Sequence, residues 1–517
     1  ARLAAAQHVA TVRLPAHRGA ILDREGRELA VGVQQETVYA TPYLLADPER
    51  AARRLCDALH IRRRCERRAV AARLADRDAG FAYVARKVDP ALAAAAVDLG
   101  LPGVGSYPEE ERTYPMGACA AQVVGFAGVD NKGLAGIELA YDHVLAGRDG
   151  QEVVVRDPAG EVLRTLRRVD PQPGADVRLT LDADIQYTTE DVLRRTVRDT
   201  GAAAATAIVM DPRSGEVLAM ANVTSRGFHG FGRDPDADRN RAVTDVYEPG
   251  SIFKLVTIAG ALADGTVKPN TRFTLPPAIR VADRVIHEAH PRGTVRYSVG
   301  EILQWSSNVG AVRIGMMMGK QGLYRWVRRF GFGRPTGVGF PGESPGIVAP
   351  PEQWSGSSIG NIPMGQGISV TAMQMAAAFS TVANDGVSVR PRLVAQVGTQ
   401  VRGDGPRRRV LPARVAREVR EMLVTAVEKG TGTKARIPGY EVAGKTGTAQ
   451  KPLPDGSGYS KSDYVASFVG MAPARRPRLV VLVTVDEPRT SIYGGDVAAP
   501  AFAEIMSFAL HHLEVAP

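Results

Sequence analysis

One serine of the chain is followed, three residues later, by a lysine at the start of a predicted helix. Ser251-x-x-Lys254 is the only Ser-x-x-Lys of the sequence, and it follows Glu248-Pro249-Gly250, a typical helix start. Residues three apart share a helix face, so the Lys254 amine can reach the Ser251 hydroxyl. A serine becomes an effective nucleophile when a base removes its proton, and lysine can be that base when burial or another cation lowers its pKa. The pair predicts serine-based acyl transfer, with N–H groups of the helix start available to an oxyanion.

A second motif, Ser306-Ser307-Asn308, is the only Ser-x-Asn of the chain. It lies between a helical pattern that ends at Trp305 and another that begins at Val309. A loop at that place can present a hydroxyl for proton relay and an amide that holds a substrate.

The third motif is Lys445-Thr446-Gly447-Thr448, within a predicted strand. Glycine weakens a strand and often marks the close approach of another backbone or a ligand. An extended peptide can add beside such a strand by β-augmentation. Lys445 is also a candidate for the cation that keeps Lys254 neutral.

Three other sequence patterns are similar to catalytic or metal-binding motifs, but the residues around them do not fit those functions. Gly-x-Ser-x-Gly at 342–346 has a proline after the serine, which removes the N–H that an oxyanion hole needs, and the same pattern at 356–360 is interpreted as a loop. His287-Glu288-Ala289-His290 is one residue short of a zinc helix, so its histidines are interpreted as solvated loop residues.

The elements that must position the three motifs form an α+β pattern. Two apolar runs, 205–211 and 216–222, predict a β-hairpin. Predicted helices follow at 251–263, 300–318, 371–384 and 413–429, and predicted strands at 441–450, 464–471 and 479–486. Strands at both ends with helices between them predict an antiparallel sheet.

The N-terminal part is Arg-rich, with strand-like runs at 34–40 and 151–155 and helical patterns at 46–59 and 69–78. Pro171, Pro173 and Gly174 mark a loop before a strand at 177–181. We therefore place a domain boundary between residues 172 and 173.

Composition excludes several classes of protein. A chain of 517 residues exceeds one core, and 44% hydrophobic with 23% charged residues excludes a disordered chain. No apolar run is long enough to span a bilayer. The net charge of +10 indicates an anionic surrounding, but the basic residues are scattered and only 6% are aromatic, which disfavours nucleic acid. The chain begins Ala-Arg-Leu without an export signal, which indicates a removed signal or a membrane anchor that precedes these residues.

Three cysteines are too few for a disulfide scaffold or a four-ligand zinc site. The three are Cys56, Cys65 and Cys119, of which Cys56 and Cys65 can form a bridge in an oxidising compartment or remain free thiols.

The three motifs, in this order, resemble those of the penicillin-recognising serine transpeptidases and β-lactamases. Further segments narrow the resemblance to class B penicillin-binding proteins: 18–24, 112–115 and 133–138 are similar to motifs of the family's pedestal domain, and 211–220 to the hairpin that opens its transpeptidase domain. Segments 306–310, 442–450, 493–495 and 498–500 resemble the division (FtsI, penicillin-binding protein 3) type. Ile252, where threonine is commoner, and Gly365-Gln366-Gly367, where Gly-Tyr-Gly is commoner in some relatives, depart from the family pattern.

This resemblance implies an α+β fold of two domains. Residues 1–172 would form a mixed, non-catalytic pedestal of the dimerisation type. Residues 173–517 would form a penicillin-binding transpeptidase domain, with a five-stranded antiparallel sheet flanked by helices as in serine β-lactamases. The family mechanism involves no cofactor and no metal.

The resemblance also implies catalytic roles. Ser251 would attack the penultimate D-alanine carbonyl of a peptidoglycan stem peptide and expel the terminal D-alanine, with Lys254 as general base. Ser306 would relay a proton to the leaving group, and Asn308 would orient the substrate or Lys254.

Substrate binding would fall to the Lys-Thr-Gly strand. Lys445 and the hydroxyls of Thr446 and Thr448, on either side of Gly447, would hold the terminal carboxylate that β-lactam antibiotics mimic. The N–H groups of Ser251 and Thr448 would form the oxyanion hole, and an amine of a neighbouring stem would then take the acyl group.

The leading hypothesis is a septal D,D-transpeptidase of the bacterial inner membrane, single-pass, with this chain in the periplasm. Its partners would be stem peptides, β-lactams and divisome membrane proteins including a SEDS-type glycosyltransferase, without nucleic acid. The alternatives are an elongation-type transpeptidase, which more often carries aspartate in place of Asn308, and a β-lactam-binding hydrolase or sensor.

Overall fold

A five-stranded antiparallel sheet forms the centre of the C-terminal part of the molecule. The computed structural model describes residues 9–156, 162–453, 455 and 458–517. The predicted hairpin and the three late predicted strands all belong to this sheet, in the order Val217–Thr224, Ala204–Met210, Leu479–Asp486, Tyr459–Ala472 and Ala443–Pro452. The α+β fold class is therefore confirmed.

Both faces of this sheet are buried, and the alternation of side chains along its strands assigns them to two cores. Ala205, Ala207 and Val209 face one core, whereas Ile208 and Met210 face the other. The first core is closed by the helices Ala183–Thr200 and Gly494–His512, and the second by the helices Lys254–Ala263, Ala372–Ala383 and Ala413–Glu428. A sheet covered on both faces can hold its edge strand Ala443–Pro452 rigidly beside the helix Lys254–Ala263. The Lys-Thr-Gly and Ser-x-x-Lys motifs, which lie on these two elements, can then stay at a fixed distance from each other.

Three of the four predicted helices of this part are confirmed with small changes at their ends, and the fourth is divided in two. The helix expected at 251–263 starts with the 3₁₀ turn Gly250–Phe253 and continues as Lys254–Ala263. The helix expected at 300–318 is divided into Val299–Gln304 and Asn308–Phe330, and the second piece is interrupted at Gly319, where φ is +70°. The other two span Ala372–Ala383 and Ala413–Glu428.

Two long helices were missed from the sequence. Ala183–Thr200 has clear end signals, because the Asp182 side chain accepts from two N–H groups of its first turn and Gly201 ends it with φ +63°. Gly494–His512 begins with two glycines and contains Pro500, which are residues that argue against a helix. Its burial against the sheet outweighs those local preferences.

Short elements complete the C-terminal part. Its remaining strands are Val177–Leu179, Arg272–Leu275, Ala278–Val281, Arg284–His287, Val295–Ser298, Val387–Val389, Val394–Val397, Gln400–Val401 and Arg407–Arg409. Its remaining helical turns are Pro235–Asp238, Arg241–Thr244, Pro351–Gln353, Ser358–Asn361, Ile362–Met364 and Thr433–Ala435. The turn Ser358–Asn361 corrects the expectation that 356–360 is entirely loop.

The N-terminal part is a mixed unit, as expected. Its strands are Val9–Leu14, Ile21–Leu22, Glu28–Ala40, Ala82–Val88, Val104–Thr113, Gly150–Arg156 and Val162–Val169. Its helices and turns are Pro42–Leu44, Pro48–Ala58, Arg64–Ala75, Pro90–Val97, Ala121–Val124, Gly136–Ala140 and Asp142–Leu145. Cys56 is buried in one helix and Cys65 exposed in the next, and both are free thiols.

A seven-stranded sheet joins the two parts. Val177–Leu179 pairs on one side with Ile21–Leu22 and on the other with Val394–Val397. Strands of the N-terminal part and of the C-terminal part therefore share one hydrogen-bonded layer. Among the described residues, no helix is long and apolar enough to cross a membrane.

The three pedestal segments singled out in the sequence meet in one buried ion cluster. Arg18 approaches Glu138 with an N···O distance of 2.6 Å, and Arg112 donates to the other oxygen of the same carboxylate at 2.7 Å. Arg18 also pairs with Asp142 at 2.7 Å. One carboxylate thus fixes segments that lie more than a hundred residues apart.

Glu138→Gln is expected to destabilise the pedestal by about 3–5 kcal/mol, because it leaves the buried guanidinium of Arg112 without a counter-charge and that of Arg18 with Asp142 alone. The measurement is thermal unfolding followed by circular dichroism. Glu49→Gln is the control, since Glu49 is exposed and pairs weakly with Arg53 at 3.9 Å. Equal unfolding temperatures for the two variants would contradict the expectation.

Candidate active site

The three chemical motifs converge on one cleft with a volume of about 660 Å³. Ser251, Ser306, Asn308 and the segment Thr446–Thr448 line its wall. Lys254 and Lys445 lie directly behind that wall, and both are fully buried. All the residues predicted for the site are therefore brought together.

The catalytic serine and lysine predicted from the sequence are in direct contact. Lys254 Nζ lies 2.9 Å from Ser251 Oγ. Ser251 belongs to the 3₁₀ turn that precedes the helix Lys254–Ala263, and Gly250 starts this turn with φ +56°. A Cβ on Gly250 would lie 2.8 Å from the carbonyl oxygen of Thr448, so the glycine lets the turn lie against the edge strand.

Two further acceptors determine how the Lys254 amine is oriented. Its Nζ lies 2.6 Å from the Ser306 carbonyl oxygen and 2.8 Å from Asn308 Oδ1, with Ser306 Oγ at 3.2 Å. The carbonyl and the amide oxygen can only accept, so each takes one N–H of the amine. A neutral amine has two N–H bonds, and its lone pair then remains for the Ser251 hydroxyl proton.

Burial favours this neutral form. It lowers the pKa of Lys254 to about 7, while the negative charge of Glu288 acts in the opposite direction. Burial, together with repulsion from Lys254, also holds the pKa of Lys445 well below its usual value. Burial, rather than the charge of Lys445, is therefore the main reason why Lys254 can lose its proton near neutral pH.

The Ser-x-Asn motif occupies a strained loop, as a close fit around Lys254 requires. Ser306 has φ +58°, a left-handed conformation that is costly for a residue with a side chain. Ser307 is buried and caps the helix Asn308–Phe330 by accepting from the Gly310 N–H. In this left-handed conformation both the carbonyl and the hydroxyl of Ser306 lie towards Lys254.

The Lys-Thr-Gly strand is the edge of the central sheet. Ala443–Pro452 pairs with Tyr459–Ala472 on one side only among the described strands. A Cβ on Gly447 would lie 2.3 Å from Ser467 Oγ and 3.1 Å from the carbonyl oxygen of Pro249. The tightest contact is therefore with a side chain of the paired strand, and the predicted approach of another backbone is seen less tightly at Pro249.

Two threonines of this strand have partners outside it. Thr446 Oγ1 lies 2.7 Å from Thr431 Oγ1, and Thr448 Oγ1 accepts from the Gly494 N–H at 3.3 Å. Thr431 was not predicted from the sequence, where it belongs to a Gly-Thr-Gly turn without a recognisable signal.

Glu288 is the main residue that sequence reasoning missed, because it belongs to the rejected His-Glu-Ala-His string. Its carboxylate accepts from the Ser307 hydroxyl and from the Asn308 N–H. The two histidines are exposed as expected, and His290 stacks on Tyr493. Neither Gly-x-Ser-x-Gly serine, Ser344 or Ser358, lines the cleft.

Comparison with known proteins agrees with this geometry. The model of the penicillin binding protein transpeptidase domain matches residues 205–507, and that of the penicillin-binding protein dimerisation domain matches residues 13–179. Together they cover most of the chain.

Relatives and solved structures extend the match. The chain is 39% identical over 457 residues to the penicillin-binding protein PbpB of Mycolicibacterium smegmatis, covering 84% of this chain and 70% of that protein. It is 34% identical over 513 residues to the peptidoglycan D,D-transpeptidase FtsI of Escherichia coli, covering 97% and 84%. The structure of penicillin-binding protein 3 from Mycobacterium tuberculosis in complex with aztreonam superposes with a TM-score of 0.77 at 31% identity and covers 98% of each chain. The chain therefore belongs to the class B penicillin-binding proteins, the family of peptidoglycan D,D-transpeptidases built from a dimerisation domain and a transpeptidase domain.

Proposed function

We propose that this chain cross-links stem peptides of septal peptidoglycan through an acyl-enzyme on Ser251, and that β-lactams inhibit it by acylating the same residue. The observation that carries this proposal is the buried Lys254 amine, 2.9 Å from Ser251 Oγ, with two other oxygens to accept its N–H bonds. A base in that position has its lone pair available for the serine proton.

The acylation step uses the groups of the cleft in sequence. Lys254 takes the proton of the Ser251 hydroxyl while Oγ attacks the carbonyl carbon of the penultimate D-alanine. The N–H groups of Ser251 and Thr448 hold the resulting oxyanion. As the tetrahedral intermediate collapses, its C–N bond breaks, and Ser306 passes a proton from Lys254 to the departing D-alanine amine.

Substrate is held on the edge strand. The hydroxyls of Thr446 and Thr448 bind the terminal carboxylate, and Lys445 supports them from behind the strand, where its amine donates to Thr446 Oγ1 at 3.3 Å. The edge of the strand at Gly447 accepts the extended donor peptide. Asn308 keeps the amine of Lys254 oriented. In the second step the amine of another stem attacks the ester carbonyl and gives its extra proton to Lys254. The C–O bond to Ser251 then breaks, and Lys254 returns the proton to Ser251 Oγ.

Several features favour the septal role over elongation. Proteins named FtsI are among the relatives that match this chain over almost its whole length. Position 308 holds asparagine rather than aspartate. We further propose a single N-terminal membrane helix ahead of this chain, periplasmic placement, and divisome partners including a SEDS-type glycosyltransferase. The domain boundary is proposed between residues 172 and 173, where Pro171, Pro173 and Gly174 form a connecting loop.

The test of transfer is to incubate the protein with a pentapeptide donor and a second stem as amine acceptor, and to identify the products by mass spectrometry. Cross-linked dimer and free D-alanine in equal amounts are expected. Release of D-alanine with the shortened donor as the only peptide product would assign a hydrolase instead.

The septal role is tested separately, with the full-length protein fused to a fluorescent protein in its own host. Accumulation at the division site is expected. Even distribution along the lateral wall would favour the elongation type.

The rate of acylation is expected to rise between pH 5.5 and 8.5, with a midpoint near pH 7. Only the neutral amine of Lys254 accepts the serine proton, and burial lowers its pKa to about 7, so the active fraction increases as pH rises through that value. The measurement is the second-order rate of labelling by a fluorescent penicillin at each pH. A rate that is constant over this range would exclude Lys254 as the base.

A further inference from the structure

The carboxylate of Glu288 lies beneath the Ser-x-Asn loop, where the proposed mechanism gives it no role. Glu288 directly follows the strand Arg284–His287, and its side chain is only 6% exposed. It forms an ion pair with Arg292, whose guanidinium also lies over the ring of Tyr297. A carboxylate taken out of water in this way must be compensated by hydrogen bonds.

Those hydrogen bonds come from the Ser-x-Asn motif. The Ser307 hydroxyl donates to Glu288 at 2.7 Å, the Asn308 N–H at 2.8 Å and the Val309 N–H at 3.3 Å. The N–H groups belong to the first turn of the helix Asn308–Phe330, where no partner within the helix exists and where a negative charge is favourable. One more hydrogen bond joins the Ser-x-Asn loop to the strand that precedes Glu288: Asn308 Nδ2 donates to the His287 carbonyl oxygen at 3.0 Å.

These contacts fix the groups that orient Lys254. Ser306, which directly precedes the anchored residues, keeps its costly φ of +58° only if the surrounding structure holds it there. Its carbonyl oxygen, together with Asn308 Oδ1, accepts from the Lys254 amine. Without the anchor, the loop is free to relax towards ordinary backbone angles and to move both acceptors away.

We propose that Glu288 is a positioning residue for acylation: its carboxylate holds the Ser306–Asn308 loop in the conformation that directs the lone pair of Lys254 at Ser251. This inference rests on the roles proposed above for Ser251 and Lys254. It assigns a function to a buried carboxylate behind the Ser306–Asn308 loop and outside the three motifs.

The charge of Glu288 has a second, separable effect. It opposes the lowering of the Lys254 pKa, so its removal shifts that pKa further downward. The other charged and titratable groups around Glu288 and Lys254 are Arg292, Lys445 and two exposed histidines, His287 at the end of the strand and His290 in the loop after it. All of these remain in a Glu288→Gln variant, so the change in charge is confined to one carboxylate.

The experiment compares acylation by a fluorescent penicillin in the unmodified protein, Glu288→Gln and Glu288→Asp across pH 5.5 to 8.5. For Glu288→Gln we expect the plateau rate to fall by about 100-fold, since small displacements of catalytic groups have effects of that size. We also expect the midpoint of its rising limb to move to lower pH. Glu288→Asp keeps the charge and is expected to recover part of the rate with a midpoint close to that of the unmodified protein.

Glu343→Gln is the matched control. Glu343 also holds a loop by accepting backbone N–H groups, from Thr336 and Gly337, but neither of these two partners lines the cleft. The acylation rate of Glu343→Gln and the pH midpoint of its rising limb are expected to stay unchanged. A midpoint does not depend on how much of the sample is folded, so partial unfolding cannot imitate the predicted shift.

Two results would overturn the inference alone: Glu288→Gln with the rate and midpoint of the unmodified protein, or an equal loss of rate in both Glu288 variants with no shift of midpoint. Failure of the unmodified protein to be acylated at any pH would overturn both this inference and the proposed function.

Discussion

Ser251→Ala is expected to abolish covalent labelling by penicillin and to lower turnover of a stem-peptide donor by about 10⁶-fold. The variant lacks the oxygen that forms the ester, while the remaining cleft residues still bind the donor. Loss of one hydrogen bond to Lys254 changes stability by only about 1 kcal/mol, so the fold is retained. Labelling is measured on denaturing gels, and turnover from the release of D-alanine.

The sequence offers a natural control for this experiment. Ser344 lies in the rejected Gly-x-Ser-x-Gly string, and its hydroxyl accepts from the Gly346 N–H away from the cleft. Ser344→Ala is expected to label normally. Residual label on Ser251→Ala, located by peptide mapping at another residue, would show that the nucleophile is misassigned.

Lys254→Met is expected to lower the acylation rate by about 10²–10⁴-fold, the usual contribution of a general base. Methionine has an unbranched side chain similar to lysine, so it fills the buried space without offering a lone pair for the serine proton. The rising limb near pH 7 should disappear as well, because the group that titrates there is gone. Stopped-flow labelling across pH measures both effects.

Lys268→Met serves as the control for this change. Lys268 is exposed just beyond the end of the same helix. It should keep both the rate and the pH profile of the unmodified protein. A Lys254→Met protein that keeps the rising limb would show that another group, such as Lys445, accepts the proton.

The order of elements in the catalytic part was predictable because its signals are local. Apolar runs of strand length, such as 479–486, can be recognised without knowing what packs on them. The helix start before Ser251 is likewise written in adjacent residues, Pro249 and Gly250. The pattern failed for Gly494–His512, whose glycines and Pro500 oppose a helix in isolation and whose stability comes from burial against the sheet.

The roles proposed for Ser251, Lys254 and the Lys-Thr-Gly strand followed from motif and spacing. The importance of Glu288 did not, because it acts on residues some twenty positions away and its own neighbours suggested only a failed zinc motif. Hydrogen bonds between distant segments leave no periodic trace in a sequence. The same holds for Thr431 beside Thr446.

By itself the sequence determined which side chains we propose as nucleophile, base and carboxylate-binding groups, since these are specified by residue type and by spacing within a single turn or strand. Only the tertiary structure decided the protonation state of the Lys254 amine. The pKa of Lys254 depends on its complete burial and on the charge of Glu288, and the direction of its lone pair depends on the strained loop at Ser306. Desolvation and charge are set by all the elements that surround a group, and the packing of those elements exists only once the chain has folded.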